Sequence, residues 1–190
     1  MQYVSKHTTM TLEVKQSKFI AHLLPFDAYE TTLNFLKTQH PKARHFVTAY
    51  RYLNEYAQVV EHLSDDGEPK GTSAKPSLMV LQGKELINSA VIIVRYFGGT
   101  KLGTGGLVRA YSDAVNLVIQ VAEFKEYKKE IFVTITIEYG DIRYIDYSCE
   151  EFGIEIEEKI FDSKTIYKLK SDEESMQNFL EKVKRVITSS

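Results

Sequence analysis

The chain has 190 residues, 43% of them hydrophobic and 26% charged, with a formal net charge of −2, the composition of a folded globular protein with room for one large domain or two small ones. A single cysteine, Cys149, excludes an internal disulfide and a cysteine-built zinc site, and with no recognisable signal peptide it points to a reducing cytoplasm. The longest clean apolar run, Ala90 to Val94, falls far short of the roughly 18 residues of a membrane helix, so no membrane role is expected.

Thr11 to Leu24 holds strand-like stretches broken at Gln16-Ser17, a hairpin pattern. Asp27 with Glu30 has capping-box spacing, and Tyr29, Leu33 and Leu36 follow at helical period until His40-Pro41. His45–Tyr52 and Tyr56–Leu63 are rich in β-branched and aromatic residues and read as a second hairpin around Leu53-Asn54-Glu55. Ser64 to Gly71 is a polar turn, and Pro76 to Gln82 a short helix opened by its proline. Within Ile87 to Phe97 the run Ala90 to Val94 reads as a fully buried central strand. Gly98 to Gly106 holds five glycines, and Leu107 to Phe124 reads as a helix.

After the charged stretch 126–130 a second region begins, giving expected domains 1–127 and 128–190. Ile131–Ile137 is a strand, and Ile142, Ile145, Cys149 and Phe152 share a helical face. Ile154–Ile160 and Thr165–Leu169 are two more strands. Ser171 with Glu174 has capping-box spacing before the stripe Met176, Phe179, Leu180, Val183, Val186 and Ile187. The expected class is α+β, with a ferredoxin-like second domain lacking its last strand. Residues 1–127 carry 14 Lys/Arg against 12 Asp/Glu, and 128–190 carry 10 against 14. A polyanion site is therefore sought in the first half.

The strongest chemical signal is Arg95-Tyr-Phe-Gly-Gly-Thr-Lys-Leu-Gly-Thr-Gly-Gly-Leu-Val-Arg109. A buried strand runs into a glycine loop and then a helix, an arrangement in which backbone N–H groups converge on an anion. Arg95, Lys101 and Arg109 bracket the loop, and Gly98, Gly99, Gly103, Gly105 and Gly106 shape it. A tight strand-to-helix joint needs the same glycines. The named nucleotide motifs fail: Thr104-Gly105 stands where a P-loop has Lys-Ser/Thr, and Val108 occupies the place of a dinucleotide fingerprint's third glycine.

A second segment, Ser64-Asp-Asp-Gly-Glu-Pro-Lys-Gly-Thr-Ser-Ala-Lys-Pro76, offers Asp65, Asp66 and Glu68 as weak ligands for Mg²⁺, and Lys70, Thr72 and Lys75 for phosphate. Its plain alternative is a solvated turn whose aspartates bond their own backbone. His7, His22, His40, His45 and His62 form no close-spaced ligand pair in sequence. His45 and His62 lie on adjacent expected strands, with structural roles favoured. No G-x-S-x-G elbow occurs. Cys149 reads as an inert core thiol.

Together, Ser64-Asp-Asp-Gly-Glu-Pro-Lys-Gly-Thr72 and Val94-Arg-Tyr-Phe-Gly-Gly-Thr-Lys-Leu-Gly-Thr-Gly-Gly-Leu-Val-Arg-Ala-Tyr111 resemble the two signatures of the YigZ/IMPACT family, with Ala43-Arg44-His45 and Ser17-Lys18-Phe19 in support. The resemblance implies a first domain of the left-handed β-α-β class, shared with a small-subunit ribosomal protein and domain IV of elongation factor G. It implies a ferredoxin-like second domain similar to domain V of that factor. It also suggests nucleic-acid binding and a role in translation regulation, as in the family's eukaryotic relatives. The leading expectation is a non-catalytic protein that docks RNA or the ribosome, with no cofactor. The rivals are a small hydrolase or nucleotide-dependent enzyme using Asp65, Asp66 and Glu68, and a protein-interaction module using the acidic second domain.

Overall fold

The run Ala90 to Val94 lies inside strand β6 (Ser89–Tyr96), the middle strand of a five-stranded sheet. The computed structural model describes residues 1–188. Two units divide the chain, Met1–Tyr127 and Lys128–Ser190.

In the first unit the other strands of the sheet are β2 (Thr8–Val14), β3 (Ser17–Pro25), β4 (His45–Leu53) and β5 (Val59–Ser64), in the antiparallel order β2-β3-β6-β4-β5. β3 and β4 both pair antiparallel with β6 and so run parallel to each other, with helix α1 (Tyr29–Gln39) as the crossover between them. Ala90, Ile92 and Val94 pack with Leu24 and Leu36 on the α1 face. Val91 and Ile93 pack with Phe19, Ala21, Leu23, Val47 and Ala49 on the opposite face, beneath helices α2 (Ala74–Gly83) and α3 (Gly103–Val121). Two covered faces explain why β6 is apolar without alternation. Each fully buried isoleucine stabilises by about 1.5–3 kcal/mol. α3 buries Leu107, Ala110, Tyr111, Ala114, Val115, Val118 and Ile119, a helical stripe. Short strands β1 (Gln2–Val4) and β7 (Phe124–Glu126) pair antiparallel and bring the two ends of the unit together.

Several sequence expectations are corrected here. α3 starts at Gly103 and ends at Val121, so Gly105 and Gly106 belong to its first turn and Phe124 to β7. The expected Asp27–Glu30 capping box does not form. A 3-10 turn (Phe26–Ala28) leads into α1, whose N-cap is Ala28 with no side-chain bond. The first hairpin turns at Lys15-Gln16, both at positive φ, as a tight two-residue loop requires. The second turn is longer than expected, with Asn54 Oδ1 accepting from the N–H groups of Tyr56 and Gln58.

The second unit runs β8 (Glu130–Ile137), α4 (Ile142–Phe152), β9 (Glu155–Phe161), β10 (Thr165–Asp172), α5 (Glu173–Val183) and β11 (Ile187–Thr188), with antiparallel sheet order β11-β8-β10-β9. This is the split β-α-β order of ferredoxin-like domains. The expectation that its last strand is missing is wrong: Ile187 pairs with Ile137. An apolar residue continuing a helical stripe fits a short edge strand equally well, and α5 stops four residues earlier. The cap of α5 is Asp172, whose carboxylate accepts from Ser175 N–H at 3.2 Å, and not Ser171. Cys149 is buried between α4 and the sheet, and burial pushes its thiol up to about 11, so it stays protonated in the core.

Candidate functional site

Residues 65–73, between β5 and α2, form a loop whose three carboxylates each turn a different way. Asp65 faces the start of α2. It accepts from Gly71 N–H at 2.8 Å, Ala74 N–H at 2.9 Å and Ser73 Oγ at 2.5 Å. Burial alone would raise this carboxyl, but those hydrogen bonds outweigh it and hold the pKa below its ordinary value. Asp66, at φ +45°, accepts from Phe46 N–H at 2.6 Å, and its carbonyl accepts from His45 Nδ1–H at 2.7 Å. Glu68 points inward and its side chain is only 3% exposed.

Glu68 joins the two sequence segments. Arg95, at the end of β6, donates through a guanidinium N–H to Glu68 Oε1, and Tyr111 Oη donates to the same oxygen at 2.8 Å. His45 Nε2 lies 3.9 Å from Glu68 Oε2. The Arg95 guanidinium also sits over the Phe19 ring at 5.3 Å, and Phe19 meets Tyr111 edge to face. Burial, then the adjacent Glu68 carboxylate, push the Tyr111 phenol far above its ordinary range, so it remains a donor. The result is a desolvated ion pair with an aromatic lid. Its Arg95 Nε has no hydrogen-bond partner among the described residues.

This placement corrects the expectation for Arg95. A cation beside a glycine loop reads as a surface group, but this one is 6% exposed and neutralised inside the fold. Thr72 is likewise buried, its hydroxyl donating to Pro69 O at 2.7 Å. Asp65, Asp66 and Glu68 do not converge, and among the described residues no three His, Cys, Asp or Glu side chains group to hold a metal. Lys70, Lys75, Lys101 and Arg109 are exposed. So is Arg44, whose N–H bonds the Arg95 carbonyl at 3.0 Å. His45 and His62 do not meet: the register sets His62 opposite Tyr50, on whose ring it stacks. Tyr111 was missed as a site residue because its inward position in the α3 stripe resembles plain core.

The glycines divide by role. Gly98 sits where a Cβ would lie 2.0 Å from the Gln16 carbonyl carbon, and its N–H donates to the buried Ser17 Oγ at 3.1 Å. Gly99 and Gly103 have positive φ, +87° and +73°. Gly105 borders open space and is exposed. The N-cap of α3, Leu102, offers no side-chain acceptor, and the first turn holds no acidic residue. Backbone N–H groups at that end therefore lack side-chain caps, beside exposed Lys101.

Fold and site together define a two-unit α+β protein whose first unit ties an acidic loop to a glycine-started helix through one buried carboxylate. The Impact N-terminal domain matches residues 15–119, a span that contains Glu68, Arg95 and Tyr111. An IMPACT family member of Haemophilus influenzae is 37% identical over 147 residues, 76% of this chain and 71% of that protein. YigZ of Escherichia coli, also an IMPACT family member, is 35% identical over 141 residues, 73% of this chain and 69% of that one. The crystal structure of a hypothetical protein matches with a TM-score of 0.68 at 27% identity, covering 96% of this chain and 90% of that one. The chain belongs to the IMPACT family. Among the described residues no helix is long and apolar enough to cross a membrane.

Proposed function

We propose that the chain is a non-catalytic, cytoplasmic RNA-binding protein acting in translation, and that it docks ribosomal or transfer RNA at the start of α3. The observation that carries this reading is the uncapped first turn Gly103-Thr-Gly-Gly106, free of acidic side chains and open at Gly105. Free N–H groups and the positive helix end favour a phosphate there. Lys101, Arg109, Lys70 and Lys75, all exposed, offer further cations to the phosphate backbone. Glu68 sets the geometry by fixing the loop that carries Lys70, and that leads into the α2 turn of Lys75, against β6 and α3. Membership of the IMPACT family supports the translational setting.

The test is titration of a fluorescent single-stranded RNA and of a transfer RNA at several salt concentrations. Neutralising one phosphate-binding side chain should flatten the single-strand salt slope by about 0.7. The variant Lys70→Gln, Lys101→Gln, Arg109→Gln should therefore bind more weakly and with a shallower slope. Absence of salt-dependent binding in the native protein, or an unchanged slope in the variant, would sink the proposal.

A further inference from the structure

On the face of the sheet opposite α3, at its β2 edge, three donor atoms converge outside the site described above. Thr9 on β2 stands in register with His22 on β3, and His7 precedes Thr9 by one alternation, on the same side. Thr9 Oγ1 lies 3.0 Å from His22 Nδ1, His7 Nε2 lies 3.0 Å from His22 Nδ1, and the third edge, Thr9 Oγ1 to His7 Nε2, is 3.3 Å. His22 is 6% exposed, and its other nitrogen, Nε2, has no hydrogen-bond partner among the described residues. All of its polar pairing is concentrated at Nδ1, the corner of this triangle. His7 and Thr9 are exposed, so the triangle opens to solvent.

These edges have the dimensions of a metal's ligand set. Imidazole nitrogen and oxygen sit about 2.0–2.2 Å from a zinc-type ion, which at angles between square and tetrahedral separates neighbouring donors by about 2.9–3.5 Å. We propose that His7 Nε2, His22 Nδ1 and Thr9 Oγ1 form one face of a site for a divalent transition-metal ion of the zinc type, with water completing the coordination on the open side. Imidazole nitrogens suit zinc, copper and nickel, while the lack of a carboxylate or carbonyl in the triangle disfavours magnesium and calcium. In the free chain the contact between the two rings is a hydrogen bond, so a bound ion would take the place of the ring proton that lies between His7 and His22. One ring is anchored in the sheet and the other enters from the segment before β2, so a bound ion would pin that segment to β3. The third donor is a hydroxyl, which makes this an exchangeable site and not a tightly held structural one.

The probe is zinc chloride, added to the full-length chain free of any polyhistidine tag. Calorimetry and competition with a chromophoric chelator read affinity and stoichiometry. Nitrogen-15 spectra of the histidine rings read which atoms bind. The expected result is a single equivalent of zinc with shifts at His22 Nδ1 and His7 Nε2. His7→Gln, on an exposed ring, should weaken binding by at least about tenfold. Thr9→Val should weaken it less, and His62→Gln should leave it unchanged. If the native chain shows no saturable binding, or His7→Gln binds zinc as the native chain does, the proposal is overturned. It is equally overturned if the ring shifts appear only at His40, His45 or His62.

Discussion

Tyr111 and Arg95 donate to the same oxygen of Glu68, so one buried carboxylate couples the acidic loop, the end of β6 and the third turn of α3. Glu68→Ala would leave Arg95 charged and unpaired at 6% exposure. Removing one partner of a buried ion pair costs about 3–5 kcal/mol. Urea unfolding of Glu68→Ala should show a destabilisation of that size, and a value near zero would mean that water replaces the carboxylate. Tyr111→Phe removes only the hydroxyl donor and should cost about 1 kcal/mol.

Asp65→Asn tests the anchor of α2. The change removes the charge that accepts from Gly71, Ser73 and Ala74, and should cost about 1–2 kcal/mol at neutral pH. The folded pKa of Asp65 is depressed, so its contribution is complete above the ordinary value of 3.8 and disappears as pH falls through the lower folded value. The stability gap between native and variant should therefore close on acidification below that ordinary value. Parallel pH profiles of urea midpoints check this. A gap that stays constant to about pH 2 would exclude the charge as its origin.

The strand β6 was legible because five consecutive apolar residues have one natural home, a strand covered on both faces. The start of α3 was not legible. Glycine costs about 1 kcal/mol in a helix relative to alanine, so local preference places the first helical residue at Leu107. Packing of the buried stripe from Leu107 onward carries the helix back to Gly103. Arg95 was misplaced for another reason: its charge is visible in the sequence, but Glu68, 27 positions away, becomes its partner only once the sheet is formed. His7, Thr9 and His22 were invisible as a group because strand register, not spacing along the chain, brings them together.

A chain of residues 1–127 should fold alone. Its last residues close on its first through the β1–β7 pairs Gln2↔Glu126, Tyr3↔Lys125 and Val4↔Phe124, and Tyr127 N–H bonds the Met1 carbonyl at 3.0 Å. Ending the chain at Val121 removes this ribbon and the partly buried Phe124, and should cost roughly 1–3 kcal/mol relative to 1–127. Thermal melts of both fragments measure it. A non-cooperative melt of 1–127 would show that this unit needs residues beyond Tyr127.

Gly98 and Gly105 should respond to alanine with opposite signs. At Gly98 the new methyl carbon would lie 2.0 Å from the Gln16 carbonyl carbon and 2.2 Å from Ser17 N, backbone atoms that cannot rotate aside. The β2–β3 turn or the Phe97–Gly99 segment must move, at a cost of about 1–3 kcal/mol or more. Gly105 has open space around the same position and an ordinary helical backbone. Alanine there should stabilise by up to about 0.5–1 kcal/mol, because it loses less backbone freedom on folding. If phosphate approaches the first turn of α3, however, the same methyl group obstructs it. Gly105→Ala should then melt higher than the native chain and bind RNA more weakly, a combination that a packing role cannot produce. Equal RNA affinity in the two proteins, measured at one salt concentration beside their melting curves, would mean that no ligand uses the open side of Gly105.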